Sequence, residues 1–411
     1  MTAERFQAPR GTHDVLPGDA AWWGVLGAIE ETLARRAWRR VQTPGFEDTG
    51  LFARTSGEAS DVVHKEMYTF DDRSGRSLTL RPEGTAPIAR AYVEHGMHRQ
   101  PQPVKAYTVA PMYRYGRPGR GRYREHWQVS VEAIGSSDPA IDAEVIEVYA
   151  AILGALGVTQ WELRLNSIGD ASCRPAYVER LNAWLHEHHD LLGEEARHKL
   201  ETSPLQVFDV KDPALRAALG EAPKIGDSLC ADCAAHFADV RQRLDALAVP
   251  YVLDPTLVRG LDYYSRTTFE FVGPDENANS TICGGGRYDG LVEQIGGPPT
   301  PGIGFGAGLE RLLLAVENEG GSFAEPRLDA FVVVDGGDRV AAQVLLQELR
   351  AAGLAADMDW AGRSVKGQFS QAARTGAGTL VVVGREAATI RRAGVPDEAV
   401  ALGEVAATLS A

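Results

Sequence analysis

Cysteine is scarce in this 411-residue sequence: there are four, Cys173, Cys230, Cys233 and Cys283. That number excludes a disulfide scaffold in a chain of this length and points to a reducing compartment. Long apolar runs are missing as well. The longest, "AAILGALGV" at 150–158, falls far short of the roughly 20 residues that cross a bilayer. The start, "MTAERFQAPRGTHDVLP", lacks the apolar segment of a secretory signal. These absences predict a cytoplasmic protein with no membrane partner. Two catalytic signatures are also absent. No G-x-x-x-x-G-K-[ST] occurs, which excludes a P-loop enzyme, and no G-x-S-x-G occurs, which removes the commonest hydrolase signal. Positive charge is in deficit: 42 Lys+Arg against 56 Asp+Glu give a formal net charge of -14, which argues against wholesale coating of nucleic acid.

Against that deficit, "VAPMYRYGRPGRGRYREHWQVSVEAIG" (109–135) places Arg114, Arg117, Arg120, Arg122 and Arg124 within eleven residues, with no acid among them. Charge acts within a Debye length of about 8–10 Å, so an acidic total leaves room for one focused site for a polyanion. An exposed arginine run is often only a solvated face. Here the arginines fall between two strand-like segments, where function concentrates. Glycines 116, 119 and 121 interleave them, which lets backbone approach a ligand. Planar guanidinium groups also suit phosphate in a bidentate fork.

The length suggests two to four domains. Residues 19–40 carry apolar positions at helical spacing behind Asp19, a predicted N-cap. A hairpin turning at Gly75 follows, then a helix over 85–96 that stops at Gly96. "VKAYTVAPMYRY" and "WQVSVEAIG" read as antiparallel strands, and residues 138–157 as an amphipathic helix. From about Asp170 to Val249 the chain becomes polar, helical and broken by prolines, as an inserted module would. Strand character returns at 267–273, and a helix begins near Ala307. The stretch 318–327 reads as a linker. Beyond it, apolar strands alternate with helices, predicting a small, mostly parallel α/β domain. The expectation is thus a mixed α+β body over 1–325, with an insertion over about 170–245, and a second domain over 326–411.

Several motifs carry chemistry beside a plainer reading. Arg259 in "LVRGLDYYSRTTFEF" is a surface-turn residue or a second cation for the same site. Arg311 in "GAGLERLLL" sits in the first turns of a helix behind a glycine-rich run. That run, "GIGFGAG", formally fits a dinucleotide fingerprint, but "GPPTP" rather than a strand precedes it. Glu83, in "TLRPEGT" with Thr85, is either a helix cap or an anchor for an ammonium group. Glu132 lies amid apolar residues on a strand, and a buried carboxylate there needs a partner. Cys230-x2-Cys233-x2-His236 could begin a zinc site, but no fourth ligand follows, so no zinc is expected and no metal-ligand cluster is assigned.

Five stretches in order, "RGTHDVLP", "TLRPEGTAPIARAY", "MYRYGRPGRGRYREHWQVSVEAIGSSDPAIDAEVI", "LVRGLDYYSRTTFEF" and "GGGRYDGLVEQIGGPPTPGIGFGAGLERLLL", closely resemble histidyl-tRNA synthetases, which are class II aminoacyl-tRNA synthetases. The resemblance spans residues 10–315. It implies an α+β catalytic body with an antiparallel sheet flanked by helices, a helical insertion, and an α/β anticodon-binding domain at the C-terminus. It implies a homodimer through the region of "RRVQTPGFED", and ATP with Mg2+, L-histidine and tRNA-His as partners. Arg114 and Arg259 then match the catalytic arginines at the α-phosphate, Arg122 and Arg311 the outer phosphates, and His126 the adenine stack. Glu83, Thr85 and Gln128 match the contacts to the amino acid's amino and carboxylate groups, and Glu132, Tyr263, Tyr264 and Tyr288 the histidine pocket. Two positions depart from the family pattern. Gly116 stands where a glutamate is usual and His126 where a phenylalanine is usual, so the adenine side is expected to lose an acidic contact. The same resemblance admits a non-catalytic, histidine-binding regulatory subunit of ATP phosphoribosyltransferase, although such paralogues usually lack the C-terminal domain and these arginines.

Overall fold

A computed structural model describes residues 6–56, 62–274, 281–325 and 327–410. Pro326, inside the expected linker, lies outside the described residues. The chain divides into two compact units, Met1–Phe323 and Ala324–Ala411.

The first unit begins α1 (Ala20–Arg35), β1 (Arg39–Arg40), β2 (Phe46–Asp48), α2 (Thr49–Ser56), β3 (Tyr68–Asp71), β4 (Ser77–Leu80), α3 (Thr85–Glu94), β5 (Val104–Tyr113), β6 (Glu125–Ile134) and α4 (Pro139–Ala155). After β7 (Glu162–Ser167) come four helices, α5 (Arg174–Glu187), α6 (Glu194–Thr202), α7 (Pro213–Ala218) and α8 (Ala231–Ala246). The unit closes with β8 (Val252–Leu253), β9 (Ser265–Val272), β10 (Thr281–Arg287), α9 (Leu291–Gln294), β11 (Gly302–Gly308) and α10 (Leu309–Asn318). Local chemistry sets many of these boundaries. The Asp19 carboxylate accepts from the Trp22 N–H and caps α1, and Asp138 caps α4 through Ala140. Gly75 takes φ 77° at the β3–β4 turn, and Gly96 takes φ 61° just beyond α3.

Eight strands form the main sheet in the order β1-β5-β6-β11-β10-β9-β7-β8. The six central strands pair antiparallel, and β1 and β8 add parallel edges. One face of the sheet is apolar. Val129, Val131 and Ala133 of β6 and Ile303, Phe305 and Ala307 of β11 alternate inward with the period of a strand and pack with α1, α4 and α10. Tyr149 of α4 lies edge-on to Phe271 and Phe305, with ring centroids 4.8 and 5.2 Å away. The helices α5 to α7 and the turn between them build a second core around Tyr177, Leu181, Leu185, Val207, Phe208 and Leu215, while α8 packs Val240 and Leu244 into the core of the main sheet.

Two segments differ from the sequence expectation. "GIGFGAG" is strand β11 rather than the loop before a helix, and α10 starts at Leu309 rather than near Ala307. Glycine weakens a strand on its own, so only pairing with β6 and β10 makes this segment extended. In the second unit, β12 (Ala330–Val334), α11 (Arg339–Ala351), β13 (Ala356–Met358), α12 (Val365–Thr375) and β14 (Thr379–Val383) form the expected parallel core. Two further strands, β15 (Ala388–Arg392) and β16 (Glu398–Val400), pair antiparallel at its edge before the closing α13 (Val405–Ser410), so the sheet is half parallel rather than mostly so.

Beneath the main sheet, Arg287 is fully buried and bonds to Asp142 of α4, with its Nη1 also 3.0 Å from Asp289 and from the Ser136 carbonyl. Asp142 also accepts from Thr267 at 2.7 Å and lies 2.8 Å from His236. These bonds and the cation hold the Asp142 carboxyl below its ordinary range against the opposing effect of burial. Removing one partner strands the other's charge, so Arg287→Met is expected to lower the unfolding free energy by about 3–5 kcal/mol in urea titrations. A loss below about 1 kcal/mol would show that this pair does not anchor the sheet.

Candidate active site

The other face of the main sheet carries polar groups and empty space. On β6, His126, Gln128, Ser130 and Glu132 alternate with the core residues and so share this face. Opposite them, β11 offers only Gly302, Gly304, Gly306 and Gly308, with Glu132 paired to Gly304 and Gln128 to Gly308. A methyl group on Gly304 would collide with the Glu132 carboxylate, and one on Gly306 would lie 2.8 Å from the Gln128 amide. On β10, a methyl on Gly284 would strike the Arg259 guanidinium, and one on Gly286 would lie 2.9 Å from the Tyr264 ring. The glycines are therefore the floor of a hollow, kept bare so that long polar side chains can lie across it.

That hollow is a cavity of about 320 Å³. It is lined by Glu83, Thr85, Arg114, Arg122, His126, Gln128, Arg259, Tyr263, Tyr264 and Arg311, residues drawn from β6, α3, α10 and the loops after β5 and before β9. The sequence directs all five hairpin arginines at a polyanion; the structure brings two of them, Arg114 and Arg122, to the cavity. Arg117 is exposed, Arg120 reaches Glu317 at 3.3 Å, and Arg124 stacks over the Tyr115 ring at 4.0 Å.

Among the described residues, Arg114 and Arg311 form no ion pair. Arg114 donates to the Pro82 carbonyl at 2.7 Å, and Arg311 to the carbonyls of Thr281 and Gly121. Burial lowers the Arg311 pKa, and the like charges of Arg122 and Arg114 lower it further. The same surroundings push His126 down to about 3: burial first, then the positive charges of Arg114, Arg311 and Arg122. A neutral imidazole among three cations marks a place prepared for an anion. Arg259, which lies over Gly284, meets a carboxylate, Glu270, while its Nε is buried without a partner among the described residues.

Glu83 turns its carboxylate back onto the start of α3, accepting from the N–H groups of Thr85 at 2.6 Å and Ala86 at 2.9 Å, and burial raises its pKa. Glu132 and Tyr288, expected in the wall, lie behind it. The Glu132 carboxyl is fully buried and accepts from the hydroxyls of Thr85 at 2.6 Å and Tyr288 at 2.5 Å. An imidazole N–H is thus not its only partner; two hydroxyls already hold it. Burial pushes its pKa up to about 8, with the nearby Glu83 charge adding and the two hydrogen bonds opposing.

Two lining carboxylates were not legible as such. Glu310, beside Arg311, accepts from the Trp127 N–H at 2.9 Å and is pushed up to about 7 by burial. Its adjacency to Arg311 at a helix start is the signal that could have found it. Glu66 ion-pairs with Arg122 at 2.8 Å and lies 3.4 Å from where a side chain on Gly116 would begin. An acid from elsewhere in the chain thus stands beside position 116.

The raised Glu132 pKa gives a signed expectation. An acid that holds its proton more tightly when folded favours the fold below its unfolded value of 4.5, and that contribution fades as pH rises to about 8. Relative to Glu132→Gln, the wild-type chain should therefore lose stability across that interval in urea unfolding and level off above it. Parallel pH profiles for the two proteins would contradict the assignment.

Comparison with known proteins agrees with this geometry. A family model described as histidyl-tRNA synthetase matches residues 11–312. A histidine–tRNA ligase of Rubrobacter xylanophilus is 47% identical over 394 residues, covering 93% of this chain and 92% of the relative. One from Moorella thermoacetica is 49% identical over 381 residues, covering 92% and 90%. The crystal structure of apo S. aureus histidyl-tRNA synthetase superposes with a TM-score of 0.83 at 37% identity, covering 99% of this chain and 100% of that one. With its antiparallel sheet flanked by helices and its arginine-lined cavity, the chain belongs to the histidyl-tRNA synthetase family and has the class II synthetase fold.

Proposed function

We propose that this chain is a histidine–tRNA ligase whose chemistry takes place in the cavity above the glycine strands. One observation carries the reading: Arg114, Arg259 and Arg311, from three distant segments, line a single hollow together with Glu83, Gln128 and Tyr264. The carboxylate of L-histidine attacks the α-phosphate of ATP, forming histidyl-adenylate and releasing pyrophosphate. The histidyl group then passes to the 3′ end of tRNA-His. The attacking carboxylate is already ionised, so no general base is needed, and catalysis rests on positioning and charge neutralisation.

Arg114 and Arg259 neutralise the α-phosphate, with Arg259 exchanging Glu270 for the ligand. Arg122 and Arg311 meet the outer phosphates, and neutral His126 stacks on adenine with Glu66 on the side that Gly116 leaves open. Glu83, Thr85 and Gln128 receive the amino and carboxylate groups of histidine. Tyr263 and Tyr264 enclose its ring, and Glu132 with Tyr288 orients Thr85 from behind. A site that hydrogen-bonds an imidazole rejects apolar analogues by about 10⁴-fold, because its buried polar groups would lose their partners. Mg2+ accompanies the triphosphate. The carboxylates of Glu66 and Glu310, which line the cavity, are oxygen donors of the kind that ion takes, and it would neutralise phosphate charge.

The remaining expectations extend this reading. The Ala324–Ala411 unit binds the anticodon end of the tRNA, α5 to α8 approach the acceptor arm, and two chains pair through the β1–β2 region, where Phe46 and the neighbouring Phe70 are exposed with rings 6.3 Å apart. The protein works in the cytoplasm. A purely regulatory histidine-binding role would have no use for three arginines gathered at one cavity.

Purified protein is expected to exchange pyrophosphate into ATP only when L-histidine is present. Arg259→Ala should lower that exchange by about 10²–10³-fold, the scale of losing one preorganised charge-stabilising donor, with histidine affinity changed far less. Histidine binding without any exchange would overturn the ligase reading, and normal exchange by the variant would overturn the role of Arg259.

A further inference from the structure

Away from the cavity, the fold gathers four side chains that the reaction does not use. Asp170 and Cys173 follow β7 at the entry to α5; Cys230 and Cys233 stand at the entry to α8. Their ligand atoms all lie within 4.8 Å of one another. Sequence spacing offers Cys230, Cys233 and His236 and no fourth ligand. The structure removes His236, which lies 2.8 Å from Asp142, and supplies Cys173 and Asp170. We propose that Asp170, Cys173, Cys230 and Cys233 bind one structural zinc ion.

The donor set is the first argument. Three thiols and a carboxylate suit zinc, because thiolate sulfur discriminates against the hard cations that take oxygen. Geometry is the second. Zinc–sulfur bonds of about 2.3 Å in a tetrahedron separate neighbouring sulfurs by roughly 3.7 Å, so this cluster needs only small side-chain rotations to close on an ion. All four cysteines of the chain are free thiols, so no disulfide accounts for the grouping.

Cys173 and Cys230 occupy the N-cap positions of α5 and α8, and neither uses its side chain to cap the helix. Both sulfurs are thus left available to an ion. A zinc ion with three thiolates and a carboxylate keeps a net negative charge, and Arg266 stands 3.2 Å from Asp170 to offset it. The chain also wraps closely around the group. Gly169 takes φ 64°, and a methyl there would lie 2.6 Å from the Cys173 sulfur. Leu229 and Ile225 close the same side.

Such an ion would tie the starts of α5 and α8 to the head of β9. Asp170 pairs with Arg266, whose backbone holds a left-handed φ of 49°, and Arg174 of α5 donates to the Tyr264 carbonyl at 2.7 Å. The cluster therefore braces the insertion helices against the strand that carries a wall of the cavity. Zinc binding releases the thiol protons and makes three sulfur–zinc bonds and one oxygen–zinc bond.

The full chain, purified without chelator under reducing conditions, should carry one zinc per chain by elemental mass spectrometry. Cobalt(II) loaded in its place should show a sulfur-to-metal charge-transfer band and the intense visible bands of tetrahedral coordination. Cys230→Ser, at a partly exposed position, and Asp170→Asn should each weaken zinc binding by more than about 10–100-fold, the loss expected for an outer-shell partner alone. A wild-type chain that takes up neither metal overturns the proposal, as does a cobalt spectrum without the sulfur band. So does a disulfide among Cys173, Cys230 and Cys233 in the reduced preparation. The cobalt spectrum of the wild type decides the matter even if a variant fails to fold.

Discussion

Like charges gathered with too few counter-ions raise the free energy of a fold, and that gathering is the constraint around which this protein is arranged. Arg114, Arg122 and Arg311 converge on one cavity, where burial first and their like charges next lower the pKa of Arg311 and of the enclosed His126. A chain with a net charge of -14 has acids in excess, yet Arg114 and Arg311 are left among carbonyls. In the proposed reading, that deficit of negative charge is met by a polyphosphate, and the stability given up there serves binding and transition-state stabilisation.

The sheet makes this tolerable by separating its two faces. One face is packed with Val, Ile and Phe against α1, α4 and α10, and the Asp142–Arg287 pair locks α4 to it from beneath. The other face is stripped to glycine along β10 and β11, so that Arg259, Tyr264, Gln128 and Glu132 can lie flat across bare backbone. Rigidity on one side and emptiness on the other come from the same period-two alternation.

Much of this was legible where the signal is local. The caps at Asp19 and Asp138, the turn at Gly75 and the strands flanking the arginine loop follow from neighbouring residues. The motif residues pointed to Arg114, Arg259 and Arg311, and the structure places all three at one cavity. What escaped was set at long range. Strand β10, "TICGGGR", carries little strand signal of its own because three glycines weaken any strand, and only its neighbours β9 and β11 make it one. Glu66 comes from a separate segment to lie beside Gly116. Glu132 was expected to await an imidazole, and the fold gives it Thr85 and Tyr288. Asp170 and Cys173 meet Cys230 and Cys233 only because α5 and α8 begin side by side.

The most direct test is a structure determined with a non-hydrolysable histidyl-adenylate analogue. The account predicts its phosphate mimic within hydrogen-bonding distance of Arg114 and Arg259, with Arg259 released from Glu270. It predicts the imidazole against Tyr264, above the bare backbone of β10 and β11, and the adenine against His126. An analogue seated elsewhere, or one whose phosphate mimic touches none of these guanidinium groups, would contradict the claim that the gathered arginines hold the nucleotide.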